Sequence, residues 1–161
     1  MNTILLQTFN LVKNELDKNP ASIVFAQLKP GIKIDEEEAI EKIGAYSEFL
    51  EVTDGARFGG IDFWNYDVLT RNQFMLHERQ NSKDSLLSIG QILYEPLVLD
   101  IADQSVYTFK QDDDSAIPMT FIGGFDDFLS QYVFGEKYQE IIPDYDSDEW
   151  ILFLKKLKVI S

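Results

Sequence analysis

Leu5, Phe9, Val12 and Leu16 recur at spacings of four, three and four, which puts them on one face of a helix and leaves Lys13, Glu15 and Asp17 on the other. Asn19-Pro20 ends that helix, because the residue before a proline is driven out of the helical region. A second helix is expected to open at Asp35. Glu36, Glu37 and Glu38 would sit at the positive end of its dipole, with Ala39, Ile40 and Ile43 as its apolar side. A third, shorter helix is predicted from Tyr46 onward, with Gly55 supplying the left-handed residue that terminates it.

From Phe58 the chain turns aromatic and β-branched with intervening glycines, and Ile61 to Trp64 reads as a strand. Leu86 to Tyr94, Pro96 to Asp100 and Ser105 to Lys110 read as three more. The last two are separated by Ile101-Ala102-Asp103-Gln104, a length and composition suited to a hairpin. Phe121 with Ile122 would add a short edge strand. Phe125, Phe128, Leu129 and Tyr132 then return to helical spacing until Gly135. The final helix is expected to be capped by Asp146 or Ser147, to carry Asp148 and Glu149 in its first turn and to end in Lys155, Lys156 and Lys158. Helices, then strands, then helices is a segregated order. It predicts an α+β fold, one domain over residues 1–161, around a largely antiparallel sheet of five or six strands.

Composition narrows the chemistry. The chain has 161 residues, no cysteine and one histidine, His77. Disulfides, thiol nucleophiles, Cys-based zinc sites and His-pair metal sites are therefore excluded. The start of the chain has neither a basic segment nor a long apolar run, and no later stretch is long and apolar enough to span a bilayer, so a cytoplasmic protein is expected.

Charge changes the picture most. The formal net charge is −14. Residues 95–149 hold fourteen acids and two bases, whereas residues 150–161 hold three bases and no acid. A nucleic acid or an anionic membrane is a poor partner for such a surface, because neither phosphate backbone nor anionic headgroups would find clustered cations. A like-charge field of this density costs self-repulsion, which a positively charged partner would relieve. Some of these acids have local uses at helix starts and turns. Asp112, Asp113, Asp114 and Asp144, with Asp146 where Ser147 is the cap, are not explained that way, and they serve either a binding face or a merely solvated one.

Other candidate sites weaken on inspection. Asp144 to Asp148 alternates acids as a calcium loop does, but Glu149 stands where glycine must turn the chain and Lys155 where a bidentate glutamate belongs. Gly59-Gly60 and Gly123-Gly124 lack the residues of a phosphate cradle and read as tight turns. His77 has no nucleophilic serine around it, and no metal or cofactor is expected. Phe63, Trp64 and Tyr66 form either a core strand or an aromatic platform.

The order of features carries a resemblance. Tyr46-Ser47-Glu48-Phe49-Leu50, Thr53-Asp54-Gly55 and Phe58-Gly59-Gly60-Ile61-Asp62-Phe63 follow one another as in the signature of the SUKH superfamily. Ile89-Gly90, Leu97 to Asp100, Ser105-Val106-Tyr107 and Phe125-Asp126-Asp127-Phe128-Leu129 are similar to its middle strands and its terminal helix. Asp54 replaces the commoner asparagine, and Gly44-Ala45 stands in place of a proline. The resemblance implies an α+β fold and, for most bacterial members, an immunity protein that binds and blocks a toxin, often a nuclease. Yeast cell-wall assembly regulators share the fold, so a regulatory or scaffold protein that binds a host protein is the alternative.

The expectation is thus a non-enzymatic inhibitor of a basic toxin domain. Its contacts would be Asp112, Asp113, Asp114, Asp144 and Asp146, with Trp64 and Tyr66 as aromatic anchors.

Overall fold

A computed structural model describes residues 1–35, 42–79 and 83–161. The predicted helix after Asp35 falls largely on residues outside that set. The remainder is an α+β domain built on one seven-stranded antiparallel sheet in which every strand pairs with the next in sequence.

Helix α1 spans Thr3–Asp17, with Asn2 accepting the Leu5 N–H at 2.9 Å as its cap. Its four predicted apolar positions are all buried. Two strands were not legible in the pattern: β1 (Ala26–Leu28) and β2 (Ala56–Phe58), each only three residues long. Between them lies α2 (Tyr46–Val52), and the chain leaves it through Gly55 at φ +82°. Strand β3 (Ile61–Phe63) follows β2 across the Gly59-Gly60 turn.

Strands β4 (Leu86–Ile92), β5 (Glu95–Asp100), β6 (Ser105–Thr108) and β7 (Thr120–Gly124) complete the sheet. The expected strand to Tyr94 ends instead at Ile92, because Leu93 and Tyr94 form the turn and Glu95 is already paired with Ile92. The hairpin at Ile101 to Gln104 forms as read. Gly123-Gly124 is not a turn: both residues belong to β7, opposite Val106 and Ser105.

The helical segments between and after the strands are short. Helices α3 (Tyr66–Leu69) and α4 (Phe74–His77) flank a 3₁₀ turn. Helix α5 (Phe125–Asp127) runs directly into a π-helical turn over Phe128–Val133. Helix α6 is Tyr138–Ile141, and α7 is Glu149–Lys156. Asp148 caps α7, accepting the Trp150 and Ile151 N–H groups at 2.9 and 3.2 Å. Asp146 and Ser147, the residues expected there, lie one turn earlier in a 3₁₀ segment, because only Asp148 has the extended backbone a cap requires.

The main core is aromatic. Phe9 meets Phe49, Phe58 and Phe134 edge-on, and Phe58 and Phe134 both pack on Trp150. The Trp150 indole N–H donates to the Val133 carbonyl at 2.8 Å. Leu97 and Leu99 join this core from β5, whereas Val98 points to the other face and packs with Leu76 and Phe109 under the 66–77 segment. With β5 covered on both faces, its continuous apolar run needs no polar alternation. Gln73 fastens this cover: its side-chain amide accepts the Ser88 N–H and donates to the Ser88 and Leu69 carbonyls.

Candidate functional site

An antiparallel meander gathers alternate connections at one end. The β2–β3 turn (Gly59-Gly60), the β4–β5 turn (Leu93-Tyr94) and the β6–β7 loop (residues 109–119) all leave the sheet on the same side. The two acidic segments singled out in the sequence lie there. Asp112, Asp113 and Asp114 are in the β6–β7 loop. Asp144 and Asp146 are in the connection from α6 to α7, which the structure brings to the same place by way of Ile142.

Gly60 reports that placement. A methyl group on it would lie 2.7 Å from Ile142 Cδ1 and 2.9 Å from Leu93 Cδ2, so both side chains rest over the glycine. On its other side the β4–β5 turn is tied to the acidic loop. The Gln111 side chain donates to the Tyr94 carbonyl, and the Gln111 N–H donates to Glu95 Oε2 at 2.8 Å. The Leu93-Tyr94 turn is thus tied to the acidic loop through Gln111 and shares Gly60 with Ile142, which precedes the second acidic segment. Leu93 is 41% exposed and Tyr94 78%.

The geometry of each segment is locally determined. Asp113 donates its N–H to the Lys110 carbonyl, and Asp114 Oδ1 accepts the Ala116 N–H at 2.9 Å, which rounds the loop. Asp144 follows Pro143 with φ +58°, a conformation aspartate tolerates better than most residues, and its carbonyl accepts from Ser147. Tyr138 anchors this side. Its hydroxyl accepts the Gly60 N–H at 2.9 Å and donates to Asp148 Oδ2 at 3.1 Å. Burial, reinforced by the Asp148 charge, pushes its pKa above the ordinary phenol range.

The acids differ in what they are doing. At the opposite end of the sheet three carboxylates are occupied. Asp100 accepts from Ala102 and faces Lys83, Asp103 accepts from Ser105, and Asp126 accepts from Asn2 near the N-terminal ammonium. At the loop end, the carboxylates of Asp112, Asp113, Asp144 and Asp146 meet no hydrogen-bond donor or cation among the described residues. Asp112, Asp114, Asp144 and Asp146 are exposed, and Asp113 is half-buried.

Asp113 also lines a groove with Phe74, Met75, Arg79 and Phe109. The Arg79 guanidinium stacks 4.2 Å above the Phe109 ring and donates to the Ile117 carbonyl. Phe74, at the groove's rim, is more than half exposed.

Trp64 and Tyr66 lie elsewhere. They follow β3 at the opposite end of the sheet, half-buried against the main core. The Tyr46 hydroxyl donates to the Trp64 carbonyl, and Asp54 Oδ1 accepts the Tyr66 N–H at 2.8 Å. The Trp64 indole N–H is buried without a partner among the described residues. The structure thus places the acids toward the loop end of the sheet and these two aromatics at the other end. The exposed aromatics beside the acidic loop are Phe74 and Tyr94, the latter placed by the sequence pattern at the end of a strand.

His77 is exposed at the end of α4. Among the described residues no group of three or more His, Asp or Glu is arranged to hold a metal ion, and no helix is long and apolar enough to cross a membrane. No family model and no curated protein matches the chain.

Proposed function

We propose that this protein is a non-enzymatic inhibitor, an immunity protein of the SUKH kind, that binds and neutralises a cognate toxin domain, a basic nuclease, in the cytoplasm. The observation that carries the reading is that two acidic segments, distant in sequence, lie toward one end of the sheet with four carboxylates that have no partner among the described residues. Four unpaired carboxylates on loops present a concentrated negative field, which accelerates encounter with a positive surface and fixes its orientation. A nuclease must hold a phosphate backbone and so has a positive surface of this kind. The sequence resemblance, with its ordered Phe-Leu helix, Asp-Gly turn and Gly-flanked strand, supports the same reading.

Co-expression with the products of neighbouring open reading frames tests it. One of those products is expected to arrest growth, and this protein is expected to restore it. The triple reversal Asp112→Lys, Asp113→Lys, Asp114→Lys should weaken the rescue, and association in vitro should slow as salt is raised. A neighbourhood without a toxic product would overturn the toxin reading and favour a host regulatory partner. Rescue indifferent to both charge reversal and salt would overturn the electrostatic one.

A further inference from the structure

The β4–β5 connection is a two-residue turn closed by the Ile92–Glu95 pair, with Leu93 at φ +49° and Tyr94 at φ +77°. Positive φ at both positions is the type I′ form, which matches the twist of the flanking strands and is normally filled by Asn-Gly or Gly-Gly. Leucine and tyrosine pay for this conformation with steric strain between Cβ and the backbone. Leu93 packs over Gly60, but no contact among the described residues requires the Tyr94 ring at the tip. Tyr94 is the most exposed large apolar residue of the described chain; its carbonyl is held by Gln111, and its phenol faces the Arg57 guanidinium without a hydrogen bond. Strain retained at a loop tip that shows an aromatic ring to solvent points to selection for something other than stability.

We infer that the Leu93-Tyr94 turn is the apolar anchor of a protein-binding surface, inserting Tyr94 into an apolar pocket whose positively charged rim is met by Asp112, Asp113, Asp114, Asp144 and Asp146. This rests on the reading of a basic partner and adds the residues that hold it. The charges steer and orient, but exposed ion pairs contribute little to lifetime, which is set by a desolvated central residue, most often aromatic. The flanking acids select the partner: a basic protein gains from them, and an acidic one is repelled.

The test uses the full chain in two forms. Leu93→Asn with Tyr94→Gly installs the residues that the turn geometry favours. Its melting midpoint should rise by about 3 °C as strain is relieved, while affinity for the partner falls at least about tenfold. Tyr94→Ala alone, with Leu93 still packed on Gly60, should show the same loss of affinity. The partner is identified by a photo-crosslinking p-benzoylphenylalanine at position 94, with Ile23, exposed elsewhere, as the control position. A crosslink specific to position 94, to a basic protein, and lost in competition with wild type but not with the Asn-Gly variant, is the expected result.

An unchanged or lowered midpoint overturns the strain argument. Unchanged affinity, an acidic crosslinked protein or no crosslink at position 94 overturns the anchor. If the crosslinked protein is basic but harmless when expressed, the anchor stands and the toxin reading falls. Full rescue by the Asn-Gly variant gives the converse.

Discussion

The hydroxyl of Tyr138 occupies the space that a side chain at Gly59 would need. Gly59 also sits at φ +58°, so two independent constraints demand glycine there. The contact is what lets α6 close down on the β2–β3 turn and carry the Asp144 segment to the loop end of the sheet.

Gly59→Ala is therefore expected to destabilise the protein by about 2 kcal/mol or more, through strain and displacement of Tyr138. Gly123→Ala provides the contrast. A methyl group there meets nothing nearer than 4.0 Å and the backbone is ordinary, so its effect should stay within about 0.5 kcal/mol. Chemical denaturation of the two variants measures the difference.

Tyr138→Phe removes the partner of both the Gly60 N–H and Asp148, and should cost about 1–3 kcal/mol. The same phenol predicts an alkaline response. Its folded pKa is raised, by burial first and then by Asp148, so its contribution is complete below the ordinary tyrosine range and is lost as pH rises above about 10. The unfolded chain releases a proton that the folded chain keeps. Tyr46, raised by burial and by Asp54, acts in the same direction. Absorbance titration should show both phenols ionising only as the protein unfolds, and Tyr138→Phe should flatten the pH dependence.

Asp148→Ala should destabilise by about 1–2 kcal/mol, because it uncaps α7 and leaves the Tyr138 hydroxyl without its acceptor. Asp148→Asn keeps the cap and should recover most of that loss. Asp146→Ala, one turn away with an exposed carboxylate, should be nearly neutral. Thermal melts of the three variants distinguish the cap from its neighbour.

Reversing Asp112, Asp113 and Asp114 to lysine should leave stability unchanged within about 0.5 kcal/mol or raise it slightly, since like-charge repulsion is relieved and only the Asp114 turn bond is lost. A melting curve checks this, and it makes a loss of partner binding in the same variant attributable to the surface and not to unfolding.

How the chain divides into what is legible and what is not follows from the range of the forces involved. Helix α1 could be read because four apolar residues at helical spacing specify a buried stripe wherever the helix docks. The hairpin at Ile101 to Gln104 could be read because turn chemistry is local. Strands β1 and β2 escaped because three residues carry too little alternation, and they exist only through pairing with β3 and with each other. Leu93-Tyr94 was misassigned for a physical reason: its residues favour a strand, and only pairing of Ile92 with Glu95 forces the turn.

By itself the sequence determined the α+β class, the apolar faces and the acidic excess, all properties of composition and near-neighbour spacing. Tertiary structure alone decided that residues 112–114 and 144–146 lie toward one end of the sheet, with Tyr94 tied to the first of them and Trp64 at the far end. Strand register and helix docking set those distances, and both depend on contacts between residues far apart along the chain, which no local pattern encodes.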